Sequence, residues 1–313
     1  MSIVDYVCGA LCIEKEQLIQ FAVTAPHRYK KYEIPKRSGN GTRTIAQPSR
    51  QLKYIQRLIL SELMKLLVPH QSAFAYIKNI SIKNNAEVHV NSRYLLKMDF
   101  KDFFPSITPE LMFQEYIRFG VTFTDEDVEL LSNIFFFKLR KNSKLRLSIG
   151  APSSPFISNI VMRNFDFVVS QICEEKKIKY TRYADDLTFS SNIRNILFDV
   201  PEMVTNTLRS EGYGSIKVNK EKTVFASKGN NRHVTGITLS NEGELSVGRN
   251  KKRELSAAIH KFSLGNLCDS EVEKLKGELA FVFFVEPTFK VRMQCKYGSD
   301  VCRKLWKETG VVS

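Results

Sequence analysis

Apolar residues recur at helical spacing between residues 11 and 22, at Leu11, Leu18, Ile19 and Ala22, and predict a helix there. A second helix is predicted from Arg50 to Leu67. Pro48-Ser49 opens it, Ile55, Leu58, Ile59, Leu63, Leu66 and Leu67 line one side, and Pro69 ends it. Between these two, Lys36-Arg37-Ser38-Gly39-Asn40-Gly41 reads as a basic turn joining two strands, the second being Arg43-Thr44-Ile45-Ala46. Arg93 to Phe100 is a strand, apolar at Leu95, Leu96 and Met98 until it delivers Asp99. Helices are predicted over 109–119, 125–136, from Pro155 to Glu174, and over 200–210. Lys179–Tyr183 and Leu187–Ser191 are strands with Ala184-Asp185-Asp186 at the turn between them. Short strands fill 215–248. From Arg249 the period changes to helical over 249–264, 270–284 and 288–308. Mixed helix and strand followed by a helical tail predicts an α+β fold.

Composition adds exclusions. The chain has 313 residues, 43% hydrophobic and 26% charged, which supplies a real core and excludes disorder as the main state. No apolar run approaches the ~18 residues of a membrane span, the longest being Leu279 to Val285. The N-terminus lacks a signal-peptide layout, so a cytoplasmic protein without membrane attachment is expected. Cys8, Cys12, Cys173, Cys268, Cys295 and Cys302 form no CxxC pair, and free thiols are expected. The net charge of +14 is uneven. Residues 1–98 carry +9, residues 99–248 are neutral and residues 249–313 carry +5. Basic flanks around a neutral centre point to a polyanion such as nucleic acid, or to a generally basic protein.

The chemistry concentrates on carboxylates placed at strand ends. If the strand bearing Asp99 pairs with the 179–191 hairpin, Asp99, Asp185 and Asp186 converge and require a cation. Mg²⁺ takes such oxygen ligands, and two ions ~3.5–4 Å apart can activate a hydroxyl and stabilise a leaving pyrophosphate. Alternation along the strand makes Asp99 and Asp185 the inner pair, Asp186 more peripheral. Asp102 reads as an exposed or salt-bridged acid.

These residues lie in motifs that resemble those of reverse transcriptases. Leu96-Lys97-Met98-Asp99-Phe100-Lys101-Asp102-Phe103-Phe104-Pro105-Ser106 resembles the first catalytic motif, and Gly150-Ala151-Pro152-Ser153-Ser154-Pro155 with Ser158-Asn159 the second. Tyr183-Ala184-Asp185-Asp186 resembles the YxDD box, Asn219-Lys220-Glu221-Lys222-Thr223 the motif after it, and Arg43 to Lys53 the fingers motif. Asn85-Ala86-Glu87-Val88-His89 and Val234-Thr235-Gly236 are similar to the NAxxH and VTG motifs of retron reverse transcriptases.

The resemblance implies a right-hand polymerase: an N-terminal helical extension (1–35), mainly fingers (36–98), mainly palm with part of the fingers (99–248), its antiparallel sheet packed on helices, and a three-helix thumb (249–313). It implies two Mg²⁺ ions on Asp99, the Phe100 carbonyl, Asp185 and Asp186, with Lys222 beside the leaving pyrophosphate. It implies dNTP contacts at Arg43, Phe104 and Gly150, Phe104 excluding a 2′-hydroxyl. Arg43 and Lys222 can also be read as surface charges, and Phe104 as core. Nucleic-acid contacts are expected at Asn85, His89, Val234, Thr235 and Gly236, and at Arg249, Lys251, Lys252 and Arg253. The implied function is copying of a cognate noncoding RNA from a 2′-hydroxyl primer, giving multicopy single-stranded DNA (msDNA) in an anti-phage defence system with a separate effector protein. The helical tail offers no ribonuclease H, so a host ribonuclease H is expected to trim the template. Another small bacterial reverse transcriptase, intron-type or untemplated, or a non-catalytic RNA-binding protein are the alternatives. One departure stands out: Ile149 occupies a place where the family usually carries Gln.

Overall fold

The computed structural model describes residues 2–36 and 41–306. Arg37–Asn40, the middle of the predicted basic turn, and residues 307–313, the end of the predicted last helix and thumb, lie outside the described residues. In chain order the helices are α1 (Ile3–Leu11), α2 (Lys15–Thr24), α3 (Arg50–Leu66), α4 (Ile82–His89), α5 (Phe103–Ser106), α6 (Pro109–Arg118), α7 (Asp125–Phe135), α8 (Ser154–Val161), α9 (Arg163–Glu175), α10 (Val200–Ser210), α11 (Arg249–Ser263), α12 (Asp269–Val285), α13 (Pro287–Tyr297) and α14 (Ser299–Trp306). The strands are β1 (Tyr29–Pro35), β2 (Thr42–Pro48), β3 (Tyr94–Lys101), β4 (Phe136–Lys138), β5 (Leu145–Leu147), β6 (Lys179–Tyr183), β7 (Asp186–Ser191), β8 (Lys217–Val218), β9 (Val224–Ser227), β10 (Arg232–Val234), β11 (Ile237–Leu239) and β12 (Leu245–Ser246).

The chain divides into two compact units. The first comprises Met1–Asn79, Leu96–Phe189 and Ile193–Val224. Its centre is a sheet in which β6, β7, β3 and β8 are neighbours in that order. Beneath it Phe100, Phe103, Phe165 and Tyr213 pack ring to ring at 5.5–6.2 Å. The antiparallel pair β1–β2 forms a separate ribbon. The expected helical extension over 1–35 is two helices followed by strand β1 from Tyr29, where the pattern predicts one helix: Cys12, at φ +51, ends α1 by donating its N–H to the carbonyls of Cys8 and Gly9. Ser49 caps α3 by accepting from the Leu52 N–H, as Pro48-Ser49 foretold.

The second unit comprises Ile80–Leu95, Ser190–Asn192 and Phe225–Ser313. Here α4 and the chain just after it lie against the β10–β11–β12 sheet, with Ala86, Val90 and Leu95 sharing a core with Val234, Ile237 and Leu239. The helices after 248 share a core of Leu255, Ile259, Leu275, Leu279, Val282, Phe289, Met293 and Leu305. The expected three-helix thumb is corrected by this: the third helix breaks at Gly298, φ +83, so α11–α14 make four helices among the described residues.

Candidate active site

Asp186 opens β7, and the link between β6 and β7 is Ala184-Asp185. It turns sharply because Ala184 adopts a left-handed φ of +58. A buried network holds that strained residue from below. Arg182 is fully buried and donates to both Asp166 carboxylate oxygens, its Nη2–Oδ2 distance being 2.6 Å. Its Nη1 donates to the Ala184 carbonyl and to Asn159 Oδ1, each at 3.1 Å. Asn159 donates onward to the Ala75 carbonyl at 2.8 Å. The turn is thereby tied to α8 and to segment 72–75, which also bonds the β6 backbone at Arg182.

Because β7 neighbours β3, the predicted meeting of the two acidic segments occurs. The Phe100 N–H donates to the Asp185 carbonyl at 3.0 Å. Asp99 is buried at 7% exposure. Lys222 Nζ lies 2.9 Å from Asp99 Oδ2, and Asn219 brackets the same residue, donating its backbone N–H to the Asp99 carbonyl at 2.7 Å.

The electrostatics are those of crowded anions. Burial first, then the Asp99 charge, pushes the Asp185 carboxyl above its ordinary value. Asp186 reaches solvent on one side, yet surrounding protein, then Asp185 and Asp99, push it up to about 6. The hydrogen bond to Asp99 raises the Lys222 ammonium, so it stays protonated. Among the described residues no three Asp, Glu, His or Cys side chains form a ready-made metal cage. The hard carboxylate oxygens of these residues, already drawing an ammonium, are the donor type that divalent cations such as Mg²⁺ take.

Arg43 is exposed on β2, and its charge counteracts the rise at Asp185. Phe104 is half-buried in α5, edge-on to Phe103 at 5.5 Å. Gly150 has φ +119, and a Cβ there would stand 3.1 Å from Ile45 Cγ2. Tyr76 was not legible as a site residue. It is 52% exposed at φ +63, one residue after the carbonyl that Asn159 holds, and its hydroxyl feels the Asp185 charge.

In the second unit, Asn85, His89 and Val234 are fully buried, so their side chains face its interior. His89 Nδ1 shares a hydrogen bond with Ser190 Oγ at 2.7 Å, and Ser190 donates to Ser92. Thr235 and Gly236, at φ +47 and +85, make the two-residue turn between β10 and β11 and reach solvent. Lys252 is already paired with Glu286 and Lys251 with Glu278, each at 3.0 Å. Arg249 and Arg253 have no ion-pair partner among the described residues. They line a groove of about 800 Å³ with His260, Arg292, Lys296 and Tyr297.

A carboxylate pair on a hairpin beside a third carboxylate, on an antiparallel sheet packed on helices, defines a polymerase of the right-hand class. Residues 34–239 match the family described as reverse transcriptase (RNA-dependent DNA polymerase). Retron Ec83 reverse transcriptase of Escherichia coli is 44% identical over 89% of this chain and 90% of its own. Retron Ec86 reverse transcriptase, also of Escherichia coli, is 31% identical over 93% and 89%. A telomerase from Candida albicans, solved with a TWJ fragment of telomeric RNA, shares the fold at a TM-score of 0.51 and 13% identity, over 86% of this chain and 56% of its own. The chain belongs to the reverse transcriptase family and, within it, to the retron reverse transcriptases, which are RNA-directed DNA polymerases. That family generally uses divalent metals. No helix among the described residues is long and apolar enough to cross a membrane.

Proposed function

We propose that this enzyme copies part of a cognate noncoding RNA, primes from a 2′-hydroxyl of that RNA, and leaves msDNA joined to it. The observation that carries the catalytic part of this reading is the pairing of β7 with β3, which sets Asp185 beside Asp99 under the Lys222 ammonium. Asp99 and Asp185, with Asp186 and the Phe100 carbonyl at the margin, would hold two Mg²⁺ ions. Bound there, the ions supply Lewis-acid stabilisation of the attacking and leaving oxygens. Lys222 neutralises or protonates the leaving pyrophosphate. Arg43 matches triphosphate oxygens with its guanidinium. Gly150 keeps the floor of the nucleotide site free of side chain, and Phe104 excludes a 2′-hydroxyl.

In this reading residues 36–98 serve mainly as fingers, 99–248 as palm with part of the fingers, and 249–313 as the thumb. The Thr235–Gly236 turn, tied to α4 by the Thr235 hydroxyl donating to the Ile82 carbonyl at 3.3 Å, would make the contact, with Asn85, His89 and Val234 buried behind it, while Arg249 and Arg253 add unpaired charge to the groove. Lys251 and Lys252 shape its wall. The resemblance to retron enzymes supports a separate effector protein, a role in anti-phage defence, trimming of the template by host ribonuclease H, and action in the cytoplasm.

The test is to purify the protein from its native cells and sequence the nucleic acid that accompanies it. A single RNA species carrying DNA on an internal 2′-hydroxyl is expected. DNA with an ordinary 5′ end, or a mixture of unrelated RNAs, would contradict the priming and partner assignments.

A further inference from the structure

Strand alternation places Arg43, Ile45 and Gln47 on one face of β2. The packing agrees: a Cβ at Gly150 would lie 3.1 Å from Ile45 Cγ2 and 3.4 Å from Gln47 Cγ. The loop bearing Gly150 is fixed there, because the Ala46 N–H donates to the Ile149 carbonyl at 2.9 Å. Gly150 is exposed, so the stem of Gln47 borders open space where any other residue would cover it. Gln47 is half-buried, and its amide makes no hydrogen bond among the described residues. Its neighbour across the loop, Ile149, offers no polar side-chain atom. At the other end of the same face stands the exposed Arg43. A strand advances roughly 3.3 Å per residue, so Arg43 and Gln47 stand about 13 Å apart along β2, room for a triphosphate at one end and a sugar at the other.

We propose that Gln47 is a substrate-contacting residue whose amide recognises the 3′-hydroxyl of the incoming deoxynucleotide. A primary amide both donates and accepts, which matches a hydroxyl that does the same. The assignment rests on the reading of Arg43 as the triphosphate ligand.

The test is single-nucleotide addition to a primed RNA template, with a dNTP and with the corresponding dideoxynucleotide, by the wild type, Gln47→Met and Arg43→Ala. Gln47→Met keeps an unbranched side chain against Gly150 and removes only the amide. It should raise KM for the dNTP about five- to tenfold, leave kcat within about twofold, and leave KM for the dideoxynucleotide unchanged. Arg43→Ala should raise KM for both nucleotides alike. Unchanged discrimination in Gln47→Met, or an equal rise for both nucleotides, would overturn the role of Gln47 while a response to Arg43→Ala kept the site itself standing. If Arg43→Ala changed neither KM, the site reading beneath the proposal would fall.

Discussion

At the scale of single residues, the site is held in repulsion. Asp186 has a folded pKa of about 6 against an ordinary 3.8, so the fold disfavours its charge. The penalty is absent below pH 3.8, grows as pH rises through 6 and is full above it. Asp186→Asn should therefore stabilise the metal-free protein at pH 8 by about 1 kcal/mol, a figure discounted for its solvent exposure, and should do nothing at pH 3. Urea midpoints at the two pH values check it, and a destabilised variant at pH 8 would contradict the account. Phe104→Ala should raise ribonucleotide incorporation relative to deoxynucleotide, measured as the ratio of kcat/KM values; unchanged sugar selection would return Phe104 to a packing role. The three acids stood out in the sequence because Asp99 follows an apolar strand segment and Asp185 and Asp186 fill a predicted turn. Arg182 was not: it reads as an ordinary strand residue, and only the fold reveals that it shares a dry interior with Asp166. Gln47 was hidden likewise, since its neighbour Gly150 lies 103 positions away.

At the scale of elements, periodicity located the central strands and most helices and failed at single-residue breaks. The run from Pro155 to Glu174 is apolar at helical spacing throughout, yet Met162, at φ −89 and ψ 5, separates α8 from α9. Gly298 interrupts the last helix in the same way. The short β4–β5 hairpin and α4 carry too few residues for a period to register. The junction of α8, β6 and the acidic turn depends on the Arg182–Asp166 pair. Arg182→Met strands a buried carboxylate and should cost about 3–5 kcal/mol, whereas Arg182→Met with Asp166→Leu should recover most of that loss. Denaturant midpoints of both variants provide the check. Equal loss in the single and double variants would show that the pair does not act as a unit.

At the scale of the whole molecule, the uneven charge was legible from counting alone, but its distribution into paired and unpaired cations was not. Lys251 and Lys252 answer to Glu278 and Glu286, which lie on α12 and just beyond it. Arg249→Gln with Arg253→Gln should therefore weaken RNA binding and reduce its salt slope by about 1.4 to 1.8, more than the same change at the two lysines. The division into two units was also invisible in the sequence, since residues 80–95 and 190–192 join the C-terminal helices by packing and not by continuity.

The central claim is that Asp99 and Asp185 form a cation-dependent nucleotidyl-transfer site distinct from the basic surfaces that hold RNA. The most direct measurement compares Asp185→Asn with the wild type in two assays, DNA synthesis on the bound RNA with Mg²⁺ and RNA affinity at matched salt. DNA synthesis should be abolished while RNA affinity stays within about twofold, because the lost charge is a ligand for the ions and not a phosphate contact. Substantial residual synthesis, or a collapse of RNA affinity alongside it, would contradict the account.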